Sequence, residues 1–115
     1  MRLLSITATP GALVACDMTT ATDTLEQRLQ EYRQLAASAL IAWERTDDGC
    51  TFGFEATTDT RLWVTDLAAR EAACCPFLSM DIDQHEDQIV WTLSSAGGHA
   101  AQAVLDDFCV ALSTP

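Results

Sequence analysis

The stretch that most constrains this chain is Arg70-Glu71-Ala72-Ala73-Cys74-Cys75-Pro76-Phe77. Proline has no backbone N–H, cannot continue a helix, and pushes the residue before it toward extended backbone. A helix must therefore stop at Cys75, and the apolar run Phe77 to Ile82 must leave as a strand. Two adjacent thiols are fixed at that junction. Glu71 precedes them by three and four residues, so its carboxylate can share a helical face with either thiol.

Neighbouring cysteines do not reach relaxed disulfide geometry, which argues against a Cys74–Cys75 bond. A helix C-terminus also disfavours negative charge, so a freely reactive thiolate would need help from elsewhere. A bound metal supplies that help by deprotonating its own ligands, and thiolates select soft ions. Packing is the other account, since a buried cysteine behaves as a small hydrophobe.

The rest of the chain alternates between two periodicities. Leu25, Leu29, Tyr32 and Ala36 form a helical stripe, with Asp23 and Glu26 placed to cap its start. Leu40 to Thr46 and Cys50 to Ala56 read as a hairpin about Asp47-Asp48-Gly49. Cys50, Phe52 and Phe54 fall on one face of the second strand, which makes Cys50 a core residue. Thr58 or Asp59 caps a second helix, which runs to about Cys75. Phe77 to Ile82 and Gln88 to Leu93 form another hairpin. A last helix, His99 to Leu112, carries Ala100, Val104, Phe108 and Leu112 at regular spacing. Leu13 to Met18 reads as the first strand, with Cys16 inside it, and residues 1–12 as a flexible arm.

The resulting order is βαββαββα. It predicts one α+β domain over residues 13–115, a single mixed or antiparallel sheet with helices on one face, near a ferredoxin-like arrangement. Leu29, Phe52, Phe54, Leu67, Met80, Trp91, Val104 and Phe108 are its expected core.

Seventeen acidic residues against six basic ones give a net charge of −11, which argues against binding a phosphate backbone. No apolar run has the length of a membrane span. Five cysteines, at positions 16, 50, 74, 75 and 109, exclude a fully paired intrachain framework, and reduced thiols in a cytoplasmic protein are expected. Leu13-Val14-Ala15-Cys16 also fits a lipoprotein cleavage pattern, but Pro10 and Gly11 interrupt the apolar segment such a signal needs. Cys109 reads as packing. His85 and His99 lack the spacing to a second histidine that a zinc site favours.

A cysteine near the start, a Leu- and Arg-containing helix, a hairpin and then Glu-x-x-Cys-Cys-Pro-Phe together resemble a small bacterial family of poorly characterised proteins. Related segments in that family are appended to mercury-resistance-type regulators. The resemblance runs from about Leu13 to Leu112 and implies association with a thiophilic metal.

The function expected from these residues is capture of a soft metal or metalloid ion. Cys74 and Cys75 would be primary ligands and Cys16 a third, with Glu71 in or beside the sphere. Hg(II), As(III) and Cu(I) suit three thiolates. Zn(II) would want a fourth donor such as His85, Glu71 or water. A thiol enzyme using Cys74 or Cys75 with Glu71 is the first alternative. The second is a structural or interaction protein, in which the pair packs a helix end at a homodimer interface.

Overall fold

Three strands alternate strictly between buried and solvent-facing residues, and that alternation decides which side of the sheet is covered. Cys50, Phe52 and Phe54 in one strand, Met80 and Ile82 in a second, and Ile89, Trp91 and Leu93 in a third are all fully buried. The residues between them, such as Thr51, Asp81, Val90 and Thr92, are half-exposed. One face of the sheet is thus packed and the other meets water, as antiparallel sheets allow.

The computed structural model describes residues 1–19 and 21–113. In chain order the elements are β1 (Arg2–Ile6), α1 (Leu25–Ala39), β2 (Leu40–Arg45), β3 (Gly49–Glu55), α2 (Thr58–Cys74), β4 (Ser79–His85), β5 (Gln88–Ser94) and α3 (Gly98–Ser113). The α+β class and the single sheet are as expected. Every neighbouring pair of strands is antiparallel, in the order β1-β4-β5-β3-β2. That order does not reproduce the ferredoxin-like one, because the first strand lies at an edge and the two hairpins meet at the centre through β3 and β5.

The N-terminal expectation is corrected. Residues 1–12 are not a loose arm throughout, and residues 13–18 form no strand. β1 pairs with β4, Ser5 facing Asp81 and Ile6 facing Met80. The edge of β4 would otherwise leave its backbone groups unpaired, and Leu3, Leu4 and Ile6 supply the apolar contact with the core. Arg2 adds ion pairs to Asp81 at 2.8 Å and Asp83 at 2.6 Å on the open face. The segment with Cys16 is instead a loop laid along the end of α2. It is held by Thr9 N–H to the Pro76 carbonyl and Asp17 N–H to the Cys74 carbonyl, both at 2.8 Å.

Two helix caps also shift. Thr24, not Asp23, caps α1, in a reciprocal box with Gln27, and Thr57 caps α2. Asp23 is excluded from the capping role because two arginines claim its carboxylate. At the β2–β3 turn, a Cβ on Gly49 would collide with the Leu93 carbonyl, so the close approach of the strands requires glycine there.

Of the expected core, Phe52, Phe54, Leu67, Met80, Trp91 and Phe108 are buried. Leu29 and Val104 are only half-buried. Both face a cavity between α1 and α3.

Candidate functional site

Pro76 sets the local geometry. Cys74 is the last helical residue of α2. Cys75 has left the helix, with φ −124° and ψ 71°, although its N–H still donates to the Glu71 carbonyl at 2.7 Å. This unwinding sends the two thiols in different directions, where a continuous helix would have held them about 100° apart around one axis.

Cys75 is completely buried and forms a disulfide with Cys16, 59 residues earlier, with Cα atoms 4.5 Å apart. Cys16 itself is exposed on the N-terminal loop. The expectation of wholly reduced cysteines is therefore corrected. Cys16 and Cys75 do converge, but as a covalent pair and not as open ligands. Cys50, Cys74 and Cys109 remain as free, buried thiols.

Cys74 turns toward a buried ionic network. Arg28, only 2% exposed, comes from α1. Its guanidinium donates to both oxygens of Asp23, at 2.6 and 2.9 Å, to Glu71 Oε1 at 3.0 Å, and to Cys74 Sγ at 3.5 Å. The hydrogen bonds from Arg28 hold the Asp23 carboxyl below its usual range. Arg70 extends the network from α2, with ion pairs to Asp23 at 3.1 Å, Glu31 at 2.7 Å and Asp66 at 2.8 Å.

Glu71 joins the two halves of the site. Its Oε1 accepts from Arg28, and its Oε2 lies 3.7 Å from Cys75 Sγ. In the disulfide that sulfur has no proton to donate, so the contact becomes a hydrogen bond only when the pair is reduced. Tyr32 stands nearby, 3% exposed, and its hydroxyl has no hydrogen-bond partner among the described residues. Burial first, and then the Glu71 charge, push its phenol well above the usual value.

A cavity of about 240 Å³ opens onto this site. Leu25 and Leu29 of α1, Val104 and Phe108 of α3, and Met18 of the loop give it apolar walls, and Cys16, Cys74, Glu71 and Tyr32 lie on its lining. Aromatic packing supports that lining: Tyr32 meets Phe108 edge-on at 5.8 Å, and Trp91 meets Phe108 at 6.4 Å.

Cys50 and Cys109 lie apart from this arrangement and face each other between β3 and α3. Burial pushes both thiols up, consistent with packing. His85 ends β4 at the opposite end from Cys75, roughly 20 Å along the strand at about 3.3 Å per residue, too far to donate to an ion at Cys75. Among the described residues, no group of three or more His, Cys, Asp or Glu side chains is arranged to hold a metal ion.

Arg28 and its partner Asp23 were not anticipated as site residues. The available signal was a charged residue inside an apolar stripe: Arg28 lies between Leu25, Leu29 and Tyr32 at helical spacing, where a solvated arginine has no place. No protein-family model, curated protein or solved structure matches the chain.

Proposed function

We propose that the chain works through reversible thiol–disulfide chemistry at Cys16 and Cys75. The observation that carries this function is an exposed sulfur bonded to a buried one, with the buried Glu71 carboxylate 3.7 Å from the latter. A disulfide opens by attack of a thiolate on an accessible sulfur, and the displaced sulfur then needs a proton. Cys16 offers the accessible sulfur. Glu71 lies where a proton on Cys75 would be held.

The test equilibrates folded protein in dithiothreitol buffers of graded reducing power, then alkylates it in denaturant for mass spectrometry. Two further cysteines, mapped to Cys16 and Cys75, should become labelled in one reversible step while the protein stays folded. A pair that opens only when the protein unfolds is a structural staple and overturns the proposal.

Capture of a thiophilic ion by the reduced pair is the second function, favoured by the meeting of Cys16 and Cys75 beside Glu71. Soft ions prefer such thiolates, and the resemblance to proteins associated with mercury-resistance regulators points the same way. Titration of reduced protein with Hg(II), Cu(I) or Zn(II) should lose its tight phase in C16S and C75S and keep it in C50S and C109S. Equal losses at all four positions would reduce the effect to nonspecific thiol chemistry.

A further inference from the structure

From the cavity's lining we infer that the thiol exchanging with Cys16–Cys75 is a small, uncharged, largely apolar one, bound in the space between α1 and α3. The inference rests on the redox function proposed above and names its substrate class. Three features of the cavity select that class.

The first is size and polarity. An apolar cavity of about 150 Å³ accepts a benzene ring, and this one measures about 240 Å³, walled largely by Met18, Leu25, Leu29, Val104 and Phe108. The second is charge. Glu71 and Asp107 line the cavity and none of the chain's six basic residues does, in a protein of net charge −11. An anionic thiol such as glutathione meets repulsion there, because the Arg28 guanidinium behind Glu71 is already committed to Asp23 and Glu71. The third is the Tyr32 hydroxyl, buried on the lining without a hydrogen-bond partner among the described residues. A buried hydroxyl is costly to leave unpaired, so a ligand presenting a polar atom to it can gain a hydrogen bond.

The position of the disulfide gives the order of events. Cys16 lines the cavity and Cys75 lies behind it. The incoming thiol RSH loses its proton, and its sulfur attacks Cys16 Sγ. The Cys16–Cys75 bond breaks, the electron pair leaves with Cys75, and a proton reaches that sulfur beside Glu71. The products are the mixed disulfide Cys16–S–S–R and the Cys75 thiol. A second RSH attacks the R sulfur, forming RSSR and freeing the Cys16 thiol. Two thiols are oxidised, one protein disulfide is reduced, and two protons pass to the protein sulfurs.

The experiment follows opening of the pair in the folded wild-type protein by quenched alkylation and mass spectrometry. Benzyl mercaptan, 2-mercaptoethanol and glutathione are each varied in concentration, with rates referred to thiolate concentration. Benzyl mercaptan should saturate and should exceed mercaptoethanol by about tenfold or more at low concentration, the gain from burying one ring. Glutathione should be slowest. In Val104→Trp, whose indole fills the cavity, saturation by benzyl mercaptan should vanish. Linear, equal rates for the three thiols in wild type would overturn the inference and leave the redox function standing. Failure of every thiol to open the folded protein would overturn both. The wild-type series decides the matter without any variant, should Val104→Trp not fold.

Discussion

Reducing the Cys16–Cys75 bond should cost a large fraction of the protein's stability. The bond closes a loop spanning 59 residues. In the chain-entropy model, a cross-link of that span removes about 14 cal/mol/K from the unfolded ensemble, or ~4 kcal/mol at 25 °C. The native state gives little of this back, because the Cys16 loop keeps other attachments: β1 remains paired with β4, and Asp17 N–H still donates to the Cys74 carbonyl. Unfolding entropy near 2.1 cal/mol/K per residue gives about 0.24 kcal/mol/K for this chain, so the loss corresponds to a Tm lower by about 15–20 °C. Urea unfolding followed by tryptophan fluorescence, with and without reductant, measures the gap. C16S without reductant should match reduced wild type, and adding reductant to C16S should change nothing. A gap below ~1 kcal/mol in wild type, or a comparable gap in C16S, would refute the reasoning.

Arg28→Met should destabilise by ~3–5 kcal/mol, since it leaves the buried Glu71 carboxylate without its cation and Asp23 with Arg70 alone; chemical denaturation showing less than ~1 kcal/mol would mean that the network relaxes into water. Stability should hold from neutral pH down to about 5 and fall below about 4. Arg28 depresses the Asp23 carboxyl and Arg70 the Glu31 carboxyl, so their stabilisation is present above the unfolded values and lost as each protonates in the native state; rising stability in pH-dependent melts between 4 and 3 would contradict this. Trp91→Phe should cost only packing, ~1–2 kcal/mol, because the buried indole N–H has no hydrogen-bond partner among the described residues to lose. Leu105→Ala at a fully buried site should cost ~2–5 kcal/mol, and the reverse ranking in urea would show that the indole N–H is satisfied after all.

Strand and helix identity was legible in the residues wherever one face had to be apolar. The alternation in Cys50-Thr51-Phe52-Gly53-Phe54 and the stripe through Val104 and Phe108 needed only local periodicity. The first strand was not legible, because Leu13 to Met18 and Arg2 to Ile6 are both short and partly apolar. What separates them is a distant edge, that of β4, and the Asp81 and Asp83 side chains that Arg2 reaches across it. The meeting of Cys16 with the Cys74-Cys75 segment was legible as a convergence of sulfur. Its covalent form was not, because the loop's course past the end of α2 depends on backbone bonds to Cys74 and Pro76. The pull of tertiary contacts also moved the cap of α1 by one residue, since Asp23 serves Arg28 and Arg70 better than it serves the helix N-terminus.

Adjacency in sequence gives Cys74 and Cys75 opposite surroundings, and Pro76 is the cause. Cys74, still helical, faces α1 and lies within 3.5 Å of the Arg28 guanidinium. Cys75, released from the helix, faces the N-terminal loop and is bonded to Cys16. Glu71, one turn back, reaches both sides, with one oxygen on the arginine and the other beside the disulfide. Opening the disulfide exchanges a sulfur that can only be approached for one that can donate to Glu71, and that oxygen belongs to the same carboxylate that holds Arg28. The redox state of an exposed loop cysteine is thereby tied to the hydrogen bonding of a buried arginine through a single side chain. Cavity, ionic network and disulfide adjoin one another at the end of α2 because one proline ends that helix between two thiols.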